Sequence, residues 1–339
     1  MGGISRRKFL GGTIGGISVL CSARAAPAAF PAWEYSRSAD PGSALIILRQ
    51  GKMVASYGAT FTLRNIASVS KSLTGLATAM VITQQKLSPT DFAFRYLPIT
   101  WDDNDARKRQ IKMHHLLTMS SGLVPHDQPR SSLEYYNTVL ALKTQATPGK
   151  QWAYASAPVD LLCIILRKVT GVSLGQYLDR YLWNPIGAGS VGWHVFNGYA
   201  RGSSGAIATA AQLTKLGQLL LQNGVWNGRR ILAEGVVDHL STWSSTLADD
   251  VPLIPPKPTD VSRHDNYTWL GKSNLLQLGW GREVPVDAFA MHGNRSNFLW
   301  IIPSLGMVIT RTASQQPWGN ISRQAEFRDG IMQRIMGGI

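Results

Sequence analysis

The stretch "IASVSKSLTG", Ile66 to Gly75, decides how this chain is read. It places Ser68 three residues before Lys71, at what reads as the first turn of a helix. Residues three apart share one helix face, so a lysine amine can reach the serine hydroxyl. A serine at a helix N-terminus also has backbone N–H groups pointing toward developing negative charge. Such a lysine works as a base only where desolvation or positive potential weakens its hold on its proton. The competing reading is a capping serine beside a solvated lysine. These residues by themselves leave both readings open, and the same spacing recurs at Ser5 and Lys8, where it has another meaning.

Ser5 and Lys8 belong to an N-terminal segment with the twin arginines Arg6 and Arg7, an uncharged stretch from Phe9 to Cys21, and the small-x-small pattern "ARA" at Ala23 to Ala25. The uncharged stretch is about a dozen residues, too short to span a bilayer. Residues 1–25 therefore read as a signal peptide of the twin-arginine export type, with a periodic "GGTIGG" that is no nucleotide loop. Leu20 before Cys21 is too bulky for a lipoprotein site. The expectation is a periplasmic or secreted protein with no stable membrane anchor after cleavage.

The sequence has 339 residues, a net charge of +14, 44% hydrophobic residues and 11 tryptophans, so a sizeable core is available. Four of the positive charges, Arg6, Arg7, Lys8 and Arg24, lie in the export segment. The rest favour anionic surfaces, but no run of five like charges occurs and aromatics do not interleave with basic residues. Nucleic acid is not an expected partner. Beyond Ala25 one cysteine remains, Cys163, inside "LLCIILRKV", and reads as a packed core thiol.

"ALIILRQGKMVASYGA" reads as a hairpin turning at Gln50-Gly51, and Ser68 to about Gln85 as a helix with an apolar stripe interrupted only by Gly75. "APVDLLCIILRKVTG" and "TAAQLTKLGQLLLQNG" read as buried helices stopped by Gly171 and Gly224. "VPLIPPKP", Val251 to Pro258, reads as a surface loop. "LLQLGWGRE", "AFAMHG", "NFLWIIP" and "MVITRTA" are strand-like, with "PSLG" turning between the last two, and a helix over Ile321 to Met336 ends the pattern. Strands at both ends with helices between predict an α/β fold: one antiparallel sheet built from both termini, flanked by helices. The mature part, 26–339, is expected to be one domain, with its α/β portion at about 26–85 and 260–339 and an inserted, mostly helical portion at about 86–259.

Several chemistries are excluded. "LGKS" at Leu270 to Ser273 lacks a phosphate-loop glycine at position 266, which is Asn. There is no H-E-x-x-H or paired-cysteine metal pattern, and no G-x-S-x-G elbow. His114 and His115, within "IKMHHLLTM", read as partly buried structural histidines. Trp152, Trp193, Trp280 and Trp300 read mainly as core residues.

Two further motifs settle the reading of Ser68. "PGKQWAYAS", Pro148 to Ser156, sets Tyr154 in a turn before a buried helix, and "MHGN", Met291 to Asn294, lies between two strands. With these, the sequence resembles the serine β-lactamase and penicillin-binding-protein superfamily, in particular its class C branch of esterases, D-amino-acid peptidases and nylon-oligomer hydrolases. "QKLSPTDFAFRYLP", "IKMHHLLTMSSGL" and "SSGAIATAAQLTKLGQLLLQNGVWNGRRIL" resemble the family's intervening segments in the same order.

The resemblance implies Ser68 as acylated nucleophile, Lys71 as activating amine and Tyr154 as proton shuttle. A rival pair, Tyr135 and Asn137, lacks the "PG-x-x-W-x-Y" surroundings. It also implies backbone oxyanion donors at Ser68 and near Arg295, with Ser156, His292, Gly293 and Asn294 lining the site and His292 supporting Tyr154. No cofactor or metal is implied. Ser156 stands where many relatives have asparagine, and His292 where many have lysine. A histidine is only partly charged near neutral pH, and serine lacks the amide contact. Both departures point away from an efficient β-lactamase toward an esterase or amidase acting on small ester, amide or peptide-like substrates. Arg295 fits a substrate-carboxylate contact or a plain surface arginine. A β-lactamase or cell-wall D,D-peptidase, and a non-turnover sensor that is acylated or docks, are the alternatives.

Overall fold

The structure is a computed structural model that describes residues 29–124, 134–241, 264–265, 268–270, 285, 287–314 and 321–338. The export segment, the loop expected at Val251–Pro258, the strand expected in "LLQLGWGRE" and Trp280 lie outside the described residues.

A seven-stranded antiparallel sheet organises the fold. Its strands are β1 (Ala44–Arg49), β2 (Lys52–Gly58), β3 (His264–Asp265), β4 (Thr268–Leu270), β5 (Phe289–Gly293), β6 (Asn297–Ile302) and β7 (Met307–Thr312). They run in the order β3-β4-β5-β6-β7-β1-β2, so chain from both ends meets where β7 pairs with β1. The β1–β2 turn has Gln50 and Gly51 at φ 52° and 73°, the left-handed pair that a two-residue hairpin needs. Pro303–Leu305 and Gly306 join β6 to β7.

Six helices matter below: α1 (Ala29–Ala39), α2 (Val69–Thr83), α3 (Tyr135–Ala141), α4 (Ala157–Thr170), α5 (Ala210–Leu221) and α6 (Ile321–Met336). Strand alternation sorts the sheet's two faces. Leu45, Ile47, Ala290, Phe298, Trp300 and Ile309 form one core with Phe327, Ile331 and Ile335 of α6 and Ala32 of α1. Ile46, Phe289, Met291, Leu299 and Val308 join the larger core around α2, α4 and α5. By sequence α5 falls in the middle segment, yet it packs on β7, β6 and β1. The sequence reading named no element over α1. Pro31 sits in the first turn, where its missing N–H costs nothing.

The helix α2 differs from the expected stripe. Every residue from Val69 to Val81 is buried, so it is a central helix rather than an amphipathic one. Its polar side chains are paired: Ser70 Oγ donates to Ala67 O and accepts from Ala206 N, while Thr74 Oγ1 donates to Gly202 O. Gly171 ends α4 at φ 77°, as its sequence predicts. Cys163 is buried on α4, where Cys163 Sγ lies 3.7 Å from Val159 O.

Candidate active site

Ser68 occupies the N-cap position of α2, but its side chain makes no capping hydrogen bond. The chain reaches it through a sharp elbow. Ala67 holds φ 50°, a left-handed conformation that a non-glycine residue adopts at a cost of about 1 kcal/mol. The elbow is braced by Asn65, whose Oδ1 accepts from Ala67 N at 2.9 Å and whose Nδ2 donates to Ser204 O at 2.9 Å. Ser68 Oγ, partly exposed, accepts instead from Lys71 Nζ at 3.1 Å.

Lys71 is only 3% exposed and therefore not the solvated lysine of the competing reading. Its amine donates to Ser203 O at 2.8 Å and lies 4.9 Å from the centroid of the Tyr154 ring. Ser68, Lys71 and Tyr154 thus converge, with the amine between the hydroxyl and the aromatic ring. Tyr154 is half-buried and packs near Trp152, their centroids 6.4 Å apart. The rival Tyr135 is fully engaged elsewhere: its hydroxyl donates to Asp160 Oδ2 at 2.5 Å in the core.

The third motif is sorted by strand alternation. Gly293 shares the face of Phe289 and Met291 and lies against the start of α2. A Cβ there would meet Ile66 O at 2.5 Å, Ser68 N at 3.1 Å and Val69 N at 3.1 Å. Its φ of −139° is open to any residue, so the constraint is space rather than backbone conformation. His292 points to the alternate face, its ring 5.1 Å from Trp300 and its Nδ1 3.5 Å from Arg328 Nη1 of α6. Burial, reinforced by the Arg328 charge, pushes the imidazole well below its ordinary range and keeps it neutral. These contacts lead to Trp300 of β6 and to the C-terminal helix.

Asn294 and Arg295 follow in a turn with Arg295 at φ 66° and Ser296 at φ 56°. The Arg295 N–H donates to Asn294 Oδ1 at 2.8 Å, so a substrate oxygen using that donor must displace the carboxamide. The turn is pinned from behind by Arg311, whose Nη1 donates to Arg295 O and Ser296 O, both at 3.0 Å. Arg311 is fully buried and paired with Asp40 at 3.1 Å. Burial pushes its guanidinium down to about 10, against the opposing pull of Asp40. Ser156 is the N-cap of α4 and buried; its carbonyl accepts from Val159 N and Asp160 N at 3.1 Å.

The sequence reading missed Ser203, Asp160, Asp40 and Arg311. Asp160 carried a signal, as the one carboxylate among the apolar residues of "APVDLLCIIL". Ser203 carried none, because it acts through its backbone. His114 and His115 sit near Pro89 and Lys112: His114 Nδ1 is 3.0 Å from Pro89 O, and His115 Nδ1 accepts from Lys112 N at 3.1 Å.

Comparison with known proteins bears on the fold and the family. A 6-aminohexanoate-dimer hydrolase of Paenarthrobacter ureafaciens is 24% identical over 300 residues, covering 80% of this chain and 72% of that one. A penicillin-binding protein homolog from Caulobacter crescentus superposes with TM-score 0.69 at 14% identity, covering 93% of this chain and 98% of that one. A family VIII carboxylesterase superposes equally well, with TM-score 0.69, 14% identity and the same coverage of 93% and 98%. The two structural likenesses establish the β-lactamase/transpeptidase fold. The family model for beta-lactamase matches residues 33–329, and the chain belongs to that family.

Proposed function

We propose that the protein is a serine hydrolase that cleaves small esters or amides through an acyl-enzyme on Ser68. The observation that carries this reading is the buried Lys71 amine, 3.1 Å from a Ser68 hydroxyl that caps nothing. With the amine uncharged, the contact reverses: the hydroxyl donates to the nitrogen lone pair while an N–H stays on Ser203 O. Ser68 Oγ then attacks the carbonyl carbon, and its proton passes to the amine. The Tyr154 phenol relays a proton to the departing alcohol or amine. The developing oxyanion is held by the Ser68 N–H at the α2 N-terminus, a donor typically worth about 3 kcal/mol. Water, deprotonated by the same groups, releases the acyl group.

The neutral His292 offers no fixed charge for a substrate carboxylate, which favours esters and amides over penicillins. The family includes hydrolases of these bonds, among them the 6-aminohexanoate-dimer hydrolase above. The proposed setting is the periplasm or the cell exterior, supported by Arg6, Arg7 and the "ARA" pattern. Ser68→Ala is expected to abolish turnover of p-nitrophenyl esters and labelling by a fluorophosphonate. Retention of either would refute the assignment. Rapid release of penicilloate from penicillin would instead indicate a β-lactamase, and a stable penicillin adduct without ester turnover a peptidase or sensor.

A further inference from the structure

Asp160 is completely buried on α4, and the steps proposed above do not use it. Burying a carboxylate is costly unless it is paired or hydrogen-bonded, so its partners indicate its purpose. Tyr135 Oη donates to Oδ2 at 2.5 Å, and Ser203 N donates to Oδ1 at 3.0 Å. Ser203 is the residue whose carbonyl accepts from Lys71 Nζ at 2.8 Å. One residue of backbone therefore separates the carboxylate from the amine that holds Ser68.

The segment carrying Ser203 is sewn to α2 and α3 on both sides of that residue. Tyr136 Oη donates to Ala200 O at 2.6 Å, Thr74 Oγ1 to Gly202 O at 3.1 Å, and Asn65 Nδ2 to Ser204 O at 2.9 Å. Ala206 N donates to Ser70 Oγ at 2.9 Å. A Cβ on Gly202 would lie 2.4 Å from Cys163 Sγ, so the strap lies flat on α4. Within this strap the Ser203 N–H is turned toward α4, and Asp160 is its acceptor.

We propose that Asp160 is a positioning residue: through the Ser203 backbone it fixes the carbonyl that orients the Lys71 amine toward Ser68. This rests on the serine-hydrolase reading. A carbonyl holding one N–H stops the amine rotating and leaves its lone pair directed at the hydroxyl. The titratable and charged groups around Asp160 are Lys71 of α2, Tyr135 and Tyr136 of α3, and Cys163 on its own helix. Arg201 lies across the Tyr135 ring, 5.4 Å from its centroid.

The test compares Asp160→Asn and Asp160→Ala with the unaltered protein. It follows pH profiles of kcat and KM on a p-nitrophenyl ester and rates of fluorophosphonate labelling, with folding checked by near-UV circular dichroism. Asn keeps an oxygen for Ser203 N and loses the charge. Its plateau kcat and labelling rate are expected to stay within about threefold of the unaltered protein. Ala loses the acceptor as well, and plateau kcat and labelling rate are expected to fall about tenfold or more, with KM little changed. A folded Asp160→Ala whose kcat and labelling rate match the unaltered protein overturns the proposal, and so does an Asp160→Asn that falls as far as Asp160→Ala. If neither variant folds, Tyr135→Phe carries the same readout. It removes the hydroxyl that holds the carboxylate against Ser203 N and is expected to slow labelling about threefold or more; an unchanged labelling rate overturns the proposal. Failure of the serine-hydrolase reading would appear separately, as unaltered protein that takes no label at Ser68.

Discussion

Gly293→Ala puts one methyl group where the strand touches the backbone at Ser68. The added Cβ would lie 2.5 Å from Ile66 O, whereas real Cβ contacts stay beyond 3.0 Å and relax at 3.4–4 Å. Strand and elbow must therefore part by at least about 0.5 Å, and by about 0.9 Å for ordinary contact. All three atoms it would meet, Ile66 O, Ser68 N and Val69 N, are backbone, so no side chain can turn aside. The elbow cannot yield locally either, because Ala67 is already left-handed and Asn65 holds it to Ser204. The displacement falls on the Ser68 N–H and Oγ. A misplacement near 1 Å costs about a hundredfold in rate, about 2.7 kcal/mol of barrier. The expectation is a folded protein with kcat on p-nitrophenyl acetate reduced about a hundredfold and fluorophosphonate labelling slowed in proportion. Gly293→Ala with kcat within threefold of the unaltered protein would refute the reasoning, because the contact would then not govern the nucleophile.

Lys71→Arg keeps a positive charge but supplies no amine that can take the Ser68 proton, so kcat should fall by about a thousandfold or more; unchanged rates would make Lys71 structural. The His115 imidazole is pushed down to about 3 by burial, aided by the His114 and Lys112 charges. The unfolded chain, with histidine near 6.5, then binds more protons below that pH, and stability is lost as pH falls through 6.5. Urea midpoints should drop between pH 6.5 and 5.5, by up to about 1 kcal/mol for this group, and His115→Gln should flatten the slope. Arg311→Met leaves Asp40 buried without its ion-pair partner and should cost about 3–5 kcal/mol of unfolding free energy. A denaturation midpoint unchanged from the unaltered protein would show that Ser314, whose N–H and hydroxyl both donate to the Asp40 carboxylate, satisfies it unaided.

Local pattern carried much of the fold. The turn at Gln50-Gly51, the stop at Gly171, the turn at "PSLG" and the β-rich runs "AFAMHG" and "NFLWIIP" are properties of a few adjacent residues, and each became the expected element. Pattern misled where packing on several sides decided the outcome. The α2 stripe was read as one apolar face, but surrounding elements bury the whole helix and pair its serines and threonines. Likewise α1 was not named from the sequence; Pro31 falls in its first turn, where a proline is tolerated.

By itself the sequence determined the order of elements, the sheet drawn from both ends, and Ser68 with Lys71 one helical turn apart, because periodicity and backbone chemistry act over short stretches. Tertiary structure alone decided that Lys71 is buried on Ser203 O, that Gly293 lies against the Ser68 backbone, and that Asp160 and Arg311 stand behind these residues. Those facts join residues 66 with 293, 71 with 203, and 40 with 311. Such pairs become neighbours only when the sheet closes and the core excludes water, and no local signal in the chain encodes them.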